Sequence, residues 1–257
     1  MFCRWAAVAV LLFLCLCDGK NSCVRYDKEA EYDANSKKKW AIVALTRPGR
    51  ADTRTRNQAL VDKLKPFASK HDITMIFFSE MSFPQAVVEG YKKAFQGVAE
   101  VKIVNTAQRG FQLPERFGYK YMCKFFSLDM YDFLKEYDFY MRCDTDCYIR
   151  KLSFDIFEWA EKNNVGYGFA MRKLEAHGPT KTTLPVWVKD YVNRCDIEPS
   201  ALMDRELSVC FNFYNNWHLG SVHFFNRPDV RHFLEAVNAS GNIFANRYAY
   251  VVNVVTR

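Results

Sequence analysis

The feature that most constrains the fold of this chain is a regular alternation of short apolar runs with segments of helical periodicity. A continuous apolar run of strand length occurs at 40–45, and largely apolar segments of strand length occur at 73–78 and 101–104. Segments at 56–70 and 87–95, with apolar residues every three or four positions, separate these runs. Strands without polar alternation are buried on both faces, as in a sheet that helices cover on both sides. The alternation therefore predicts an α/β fold with a doubly wound central sheet.

The most informative single stretch is 137–149, where a buried strand runs into a turn that carries two carboxylates. Asp144 and Asp146 are two residues apart in this turn. At a strand end two such side chains can converge on one ion, and carboxylates bind hard divalent cations that leave positions open for phosphate oxygens. A solvated turn is the alternative, because an Asp-x-Asp pair is common by chance. The functional interpretation is a metal site for a nucleotide diphosphate.

Arginines follow the first predicted strand. In doubly wound sheets ligands bind outside the carboxyl ends of the strands, and Arg47 and Arg50 come directly after the run 40–45. They are candidates for charge-assisted hydrogen bonds to nucleotide phosphates, with ordinary surface arginines as the alternative. The chain contains neither GxGxxG nor GxxxxGK[ST], so an ordinary dinucleotide site and a P-loop are not predicted.

A run of alternating amides and aromatics lies at 212–218, before a predicted strand at 219–225. Amide groups supply directed donors and acceptors for sugar hydroxyls, and aromatic rings stack on sugar faces. A turn capped by asparagines is the alternative. The candidate sugar-binding residues in this run are Tyr214, Asn215, Asn216 and Trp217.

Other segments with helical patterning lie at 118–134, 154–162, 184–194 and 227–237. Pro185 is expected in the first turn of its helix, where proline is tolerated. The preceding segment 172–183 is expected to be a loop.

Composition and charge exclude some classes of function. Hydrophobic residues form 49% of the chain and charged residues 25%, which is typical of a globular protein. The net charge of +7 suits an anionic small substrate or a membrane surface. No recognition helix or RNA-binding signature is present, so a nucleic acid partner is not predicted.

The N-terminal residues indicate the secretory pathway. Arg4 precedes an apolar run at 5–17, which has the form of a signal-peptide core and is short for a membrane span. We expect residues 1–20 to be a signal peptide or an uncleaved signal anchor, and polar residues 21–39 to be a stem. Either reading places the remainder in the ER or Golgi lumen or outside the cell. The membrane is then contacted only through the N-terminal segment, if that segment is uncleaved.

Cysteines agree with that compartment. Those beyond the apolar run are even in number, which permits disulfides: Cys23, Cys123, Cys143, Cys147, Cys195 and Cys210. No Cys/His set with zinc spacing accompanies them, so a zinc site is not predicted. Asn238-Ala239-Ser240 is a glycosylation sequon.

Three segments carry a resemblance to a known family. They are Gly118–Phe126, Tyr140–Asp146, and Phe213–His218 with Phe224-Phe225 beyond it. Their order and spacing resemble the fungal Golgi α-1,2-mannosyltransferases of glycosyltransferase family 15 and their protist relatives. The resemblance covers residues 40–248 and implies a GT-A fold, a single domain with a Rossmann-like mixed sheet flanked by helices.

The resemblance also implies an activity. It implies a retaining glycosyltransferase that moves a hexose, with mannose expected, from a nucleotide-diphosphate sugar, with GDP-mannose expected, to a glycan or glycoprotein acceptor. Mn²⁺ or another divalent cation would be held by Asp144 or Asp146 against the diphosphate, as a Lewis acid on the leaving group. Arg142 would assist beside them.

The chain departs from the family pattern at two places. His218 occupies the position of the family's proposed nucleophilic glutamate, and imidazole is a poor substitute for that carboxylate. Retention without a covalent intermediate, or another acid such as Asp204 or Glu206, are the alternatives. Arg247–Tyr250 stands where the family has Arg-Trp-Gly-Asp, without the Asp and without the metal-binding histidine that follows. Arg247 is kept as a substrate-binding candidate. We therefore expect 40–257 to be a glycosyltransferase-like domain that lacks C-terminal elements of the family.

These departures leave other functions open. A non-catalytic member of the fold, which binds glycan or nucleotide sugar as a lectin or chaperone does, is favoured by His218 and disfavoured by the intact Asp-x-Asp. A phosphatase-like hydrolase with Asp144 as nucleophile and Asp146 as acid would want Thr or Val two residues after the second Asp. Tyr148 stands there instead.

Overall fold

The computed structural model describes residues 37–47, 53–109, 118–145, 147–197, 209–213 and 216–248. The strands are β1 (Lys39–Leu45), β2 (Asp72–Ser79), β3 (Glu100–Asn105), β4 (Phe139–Cys143), β5 (Tyr167–Phe169), β6 (Arg172–Leu174), β7 (Phe211–Phe213) and β8 (Trp217–Ser221). The helices are α1 (Thr53–Ala68), α2 (Gln85–Ala94), α3 (Gly118–Lys124), α4 (Met130–Phe133), α5 (Ile156–Lys162), α6 (Gly178–Arg194), α7 (Val222–Phe225), α8 (Pro228–Ala239) and α9 (Asn242–Asn246). A 3₁₀ turn at Thr106–Arg109 and a π turn at Phe125–Asp129 complete the set.

Several predicted features lie outside the described residues. They are the N-terminal segment 1–20, the stem up to residue 36, and the candidate residues Arg50, Asp146, Asp204, Glu206, Tyr214 and Asn215. These stay predictions. Within the described part of the chain, no helix has the length and apolar character needed to cross a bilayer.

The central sheet has six strands in the order β3-β2-β1-β4-β8-β5. β1 is parallel to β2 and to β4, and β2 is parallel to β3. β8 is antiparallel to both of its neighbours, β4 and β5. A separate two-stranded sheet pairs β6 with β7. The predicted α/β fold with a mixed central sheet is confirmed.

Both faces of the central sheet are buried. Along β1, residues Trp40 and Ile42 contact one apolar cluster, which α1, α2 and α5 cover, while Ala41 and Val43 contact the other. The second cluster is covered by α3, α4, α6, α8 and α9. All four of these side chains are 0% exposed. The continuous apolar run at 40–45 is thus explained by burial on both sides of the sheet.

The strand order creates a crevice at one point of the sheet. From β1 the chain continues to β2 and β3 on one side, whereas β4 lies on the other side of β1. The connections therefore diverge at the carboxyl ends of β1 and β4, and this is the place where open α/β sheets bind ligands.

The helix predicted at 184–194 is longer than its sequence pattern indicated. α6 starts at Gly178, with Pro179 in its first turn, and Pro185 lies inside it. The nitrogen of His177 caps the helix start by accepting a hydrogen bond from the backbone N–H of Thr180. The prediction was wrong because it took Pro185 for the proline of the first turn. The predicted loop at 172–183 accordingly contains β6 and the first helical turns.

The strand predicted at 219–225 was also partly wrong. β8 ends at Ser221, and the helix α7 follows directly. The Ser221 hydroxyl accepts a hydrogen bond from the backbone N–H of Phe224 at 3.2 Å, which is N-cap geometry. A single capping serine in an apolar run therefore converts the end of the run into a helix.

Three tyrosines lie in the core beside β4. The hydroxyls of Tyr131 and Tyr140 are 3.2 Å apart and hydrogen-bonded. The Tyr167 hydroxyl is buried and has no hydrogen-bond partner among the residues that the structure describes. Burial raises the pKa of all three phenols well above the ordinary value of about 10. The folded state therefore keeps these protons at a pH at which the unfolded chain loses them.

We predict that the protein loses stability above pH 10. Above the tyrosine pKa of the unfolded chain, about 10, the unfolded state loses the phenol protons while the folded state still keeps them. The free energy of unfolding therefore falls as the pH rises, by up to about 1.4 kcal/mol per pH unit for each tyrosine. Tyr167→Phe removes one of the three titrating phenols and should therefore reduce the slope of the free energy of unfolding against pH. Because it deletes an unpaired buried hydroxyl, it should also stabilise the protein at pH 7 by about 1 kcal/mol. Urea denaturation at pH 7, 10 and 11 measures both.

The matched control is Tyr148→Phe, since Tyr148 is 60% exposed. This change should alter neither the slope nor the stability at pH 7. An alkaline slope that is the same in Tyr167→Phe as in the parent protein would contradict the prediction.

Candidate functional site

A small cavity lies at the carboxyl ends of β1 and β4, within the crevice that the strand order creates. Its apolar lining includes Ala44 of β1, Leu60 of α1 and Met75 of β2. The turn after β4 contributes its polar side, with Asp144 and Thr145. The cavity therefore joins an apolar floor to the carboxylate that the sequence singled out.

Arg142 holds the carboxylate of Asp144 in a bidentate ion pair. Its Nε donates to Oδ1 at 2.6 Å and its Nη2 donates to Oδ2 at 2.8 Å. The side chain of Arg142 is only 4% exposed, and that of Asp144 is 18% exposed. Two parallel charge-assisted bonds fix both the position and the plane of the carboxylate. Asp144 is thus pre-positioned at the edge of the cavity.

The backbone around Asp144 is fixed as well. Its N–H donates to the carbonyl oxygen of Asn216 at 2.9 Å, and its carbonyl accepts from the N–H of Cys147 at 2.8 Å. The first bond joins the turn to the start of β8, and the second closes the turn on itself. Asn216 therefore lies beside Asp144.

An aromatic ring supports the guanidinium from the other side. The Cζ atom of Arg142 lies 3.5 Å from the centroid of the Phe126 ring, a cation–π contact. Phe126 belongs to the π turn at Phe125–Asp129, which interrupts the predicted helix 118–134 between α3 and α4. Such turns insert one extra residue and re-aim the side chains they carry. The ring and the pairing carboxylate together account for the deep burial of this charge.

His218 and Trp217 lie opposite β4 on the neighbouring strand. In the β4–β8 register His218 faces Arg142, and Trp217 faces Cys143. His218 is 4% exposed, and its ring centroid is 5.6 Å from that of Tyr140 and 5.2 Å from that of Tyr167. Residue 218 is therefore enclosed by aromatic rings next to Arg142.

The Trp217 side chain lies on the opposite face of the sheet. It packs against the apolar cluster that contains Met141, Cys143 and Leu219. Its Nε1 is buried and has no hydrogen-bond partner. Alternation along β8 separates residues 217 and 218, so the structure does not bring these two candidates to one surface.

Arg247 lies on the same side of the sheet as Arg142. Its guanidinium is 5.3 Å from the Tyr119 ring centroid, and its backbone is left-handed with φ of 57°. Both arginines lie near the buried thiol of Cys123. Burial raises the pKa of that thiol to about 11, and the positive charges of Arg142 and Arg247 partly oppose the rise. Arg142 pairs with Asp144, and Arg247 is a second positive charge near the Cys123 thiol.

Arg47 lies at the carboxyl end of β1, as predicted, but its charge is already paired. Its Nη2 is 2.6 Å from Oε1 of Glu80, and its side chain is 52% exposed. The adjacent Thr46 is 5% exposed and its hydroxyl has no partner. Thr46 was missed by the sequence reasoning, and its position directly after β1 was the only signal for it.

The residues present suit a hard divalent cation in kind. In the described ranges no three His, Cys, Asp or Glu side chains come together as a metal site. Asp144 nevertheless offers two carboxylate oxygens, whose position is fixed by the bonds from Arg142. Ions such as Mg²⁺ bind in this way through one or two carboxylates, with phosphate oxygens and water filling the remaining positions.

Comparison with known proteins gives sequence relatives. A profile of the family described as glycolipid 2-alpha-mannosyltransferase matches residues 54–254. The chain is 27% identical over 143 residues to the Candida albicans glycolipid 2-alpha-mannosyltransferase 1, covering 51% of this chain and 33% of that protein. It is 28% identical over 145 residues to the Saccharomyces cerevisiae protein named probable mannosyltransferase KTR3, covering 51% and 35%. The chain thus spans about a third of the length of these curated relatives.

A solved structure shares the fold. Core-mannan synthase A from Aspergillus fumigatus, in a form with Mn and GDP, superposes with a TM-score of 0.66 at 17% identity. The superposition covers 89% of this chain and 71% of that one. At this level of identity the likeness concerns the fold alone.

We predict that Arg142→Met lowers the free energy of unfolding by about 3 kcal/mol or more, because it removes the bidentate partner of the partly buried Asp144 carboxylate. Arg142→Lys should lower the free energy of unfolding by less than Arg142→Met does, because lysine keeps the positive charge but cannot form two parallel hydrogen bonds to the carboxylate. The matched control is Arg194→Met in the exposed i,i+4 pair with Asp190, where both side chains are 61% exposed. There the change should be about 0.5 kcal/mol or less. Urea denaturation measures all three, and equal losses at positions 142 and 194 would contradict the prediction.

Proposed function

Because this chain belongs to the glycolipid 2-alpha-mannosyltransferase family, we propose that it transfers mannose from GDP-mannose to a glycan or glycoprotein acceptor. The proposed reaction is retaining and assisted by Mn²⁺ or another divalent cation. The observation that carries the proposal is the Arg142–Asp144 ion pair in the crevice between β1 and β4. A carboxylate fixed at that point suits a cation bound to a nucleotide diphosphate.

Asp144 and Asp146 are the proposed metal-holding residues. When bound, the cation supplies Lewis-acid stabilisation of the negative charge on the departing diphosphate. Arg142 already compensates the charge of Asp144, so this carboxylate alone attracts a cation weakly. Binding of the cation should therefore depend on the diphosphate, whose own oxygens complete its coordination. Arg142 acts as a positioning residue that holds the carboxylate plane in place.

Arginines supply the proposed contacts to the diphosphate. Arg247 is exposed and lies on the same side as Asp144. Arg47 is half exposed at the end of β1, and Arg50 follows it in sequence. Charge-assisted hydrogen bonds from these groups favour a diphosphate over a neutral ligand. The apolar floor at Ala44, Leu60 and Met75 is the proposed seat of the base.

Residues after β7 are the proposed sugar-binding residues, namely Tyr214, Asn215, Asn216 and Trp217. This assignment is supported by the position of Asn216, whose carbonyl oxygen accepts a hydrogen bond from the backbone N–H of Asp144. His218 is the residue at the family's nucleophile position, and here it is enclosed by the rings of Tyr140 and Tyr167. We propose that retention proceeds without a covalent sugar adduct at residue 218, with Glu206 as the candidate acid.

We propose the ER or Golgi lumen as the compartment, or secretion. The N-terminal apolar segment 5–17 and the sequon at Asn238 support this assignment.

A second candidate is a binding-only member of the family. It is favoured by the imidazole at position 218, where the resemblance implies a carboxylate. In this case nucleotide sugar binds in the same crevice and no transfer follows.

We predict that GDP binds in the presence of Mn²⁺ and that Mn²⁺ alone binds weakly, because Arg142 compensates Asp144. Asp144→Asn and Asp146→Ala should each weaken Mn²⁺-dependent GDP binding by about tenfold or more. Asp190→Asn is the matched control, since Asp190 is 61% exposed and far from the crevice in sequence. Calorimetric titration of the purified chain measures these affinities. If GDP affinity changes neither on addition of Mn²⁺ nor in the Asp146→Ala variant, the metal assignment is wrong.

Transfer itself is measured separately, with radiolabelled GDP-mannose and methyl α-mannoside as acceptor. Label in the product with retained configuration supports the transferase. Mn²⁺-dependent GDP binding without label transfer to any mannoside supports the binding-only candidate instead.

A further inference from the structure

A second carboxylate is buried at the small sheet that β6 and β7 form. Glu175 follows the end of β6 and is 8% exposed. Its Oε1 accepts the backbone N–H of His177 at 2.7 Å, and its Oε2 accepts Nδ2 of Asn212 at 2.9 Å. No lysine, arginine or histidine of the described ranges forms an ion pair with it. Buried charges in proteins are ordinarily paired, so this carboxylate is unusual.

Asn212 places an unpaired acceptor beside that carboxylate. It is 4% exposed, and its Nδ2 is used by Glu175. Its Oδ1 is buried and has no hydrogen-bond partner in the part of the chain that the structure describes. A buried acceptor without a donor destabilises the folded state unless a ligand or water completes it. The amide oxygen of Asn212 therefore lacks a donor, and beside it each Glu175 oxygen keeps a lone pair beyond the one donor it already has.

This pair lies close to the crevice. Asn212 precedes Asn216 by four residues, so their Cα atoms are at most about 14 Å apart. Asn216 is the residue whose carbonyl holds Asp144. Phe213, directly after Asn212, stacks on Phe169 with 3.8 Å between the ring centroids. Phe169 is in turn the register partner of His218.

The chemistry of the pair selects a class of ligand. A carboxylate and an amide oxygen accept hydrogen bonds and repel anions, so neither suits a phosphate. Adjacent hydroxyls of a hexose offer two donors at close spacing. A hydroxyl bound to an ionised carboxylate makes a charge-assisted bond, which also discriminates against sugars that lack the hydroxyl there.

We propose that Glu175 and Asn212 bind two hydroxyls of the glycan acceptor. This inference rests on the proposed function, since it assigns the acceptor side of the same crevice. Asp144 and the cavity then bind the nucleotide-sugar donor, and residues of the β6–β7 sheet bind the glycan acceptor.

Glu175→Gln tests the proposal without removing a buried contact. The glutamine Oε1 accepts the His177 N–H as before, and its Nε2 donates to Oδ1 of Asn212 once the Asn212 amide has turned over. Both hydrogen bonds at residue 175 are then kept, but Asn212 presents an NH₂ group where it presented an oxygen. The variant should fold, and its acceptor subsite should be changed from accepting to donating.

The experiment uses the full chain with α-1,2-mannobiose as acceptor probe. Glu175→Gln should raise the acceptor KM, or the dissociation constant seen by saturation-transfer NMR, by about tenfold, with Mn²⁺-dependent GDP affinity unchanged. Glu158→Gln on α5 is the matched control, because its pair with Lys162 is on the surface, and it should change neither quantity. An unchanged acceptor affinity in a folded Glu175→Gln protein overturns the proposal.

The two hypotheses fail differently. If the parent protein transfers no mannose but binds mannobiose through Glu175, the acceptor subsite stands and the transferase fails. If transfer occurs and Glu175→Gln leaves the acceptor KM unchanged, the transferase stands and the subsite fails.

Discussion

The ion pair between Arg142 and Asp144 is the interaction on which the rest of the site depends. A guanidinium this deeply buried requires a carboxylate and a polar or aromatic neighbour, and the structure supplies Asp144 on one side and the Phe126 ring on the other. Placing Phe126 requires the π turn between α3 and α4. Holding Asp144 also requires β8, because the Asn216 carbonyl binds its backbone. One buried charge thus links a helix, two strands and a turn.

Of the four buried side-chain polar atoms that have no hydrogen-bond partner within the described residues, one, the Tyr167 hydroxyl, lies in the core, and the other three share a location. The hydroxyl of Thr46 follows β1, the indole N–H of Trp217 opens β8, and the amide oxygen of Asn212 lies on β7. All three lie at or near the end of the sheet where the strand order opens a crevice. A folded protein tolerates such groups where something else completes them. Their location therefore agrees with a two-sided site, with a donor in the crevice and an acceptor toward the β6–β7 sheet.

The strands β1 and β2 are readable from the sequence, because both are buried on both faces and are therefore almost entirely apolar, whereas β3 is only half-buried and includes Lys102. The helix α6 and the end of β8 were read less well. In both cases one residue decides the outcome: Pro179 rather than Pro185 lies in the first helical turn, and Ser221 caps a helix inside an apolar run. Composition does not reveal such local hydrogen bonds. Glu175 carried no sequence signal, because its importance comes from burial without a cation.

The sequence by itself determined the alternation of strands and helices, the carboxylate turn after β4 and the polar-aromatic run before β8. Those features follow from local periodicity and residue type, which are written along the chain. Three features were decided by the tertiary structure alone. Arg142 forms a bidentate ion pair with Asp144, His218 and Trp217 point to opposite faces of the sheet, and Asn212 donates a hydrogen bond to Glu175, 37 residues away in sequence. These are contacts between distant segments, and their geometry is set by the register of strands and the burial of charge.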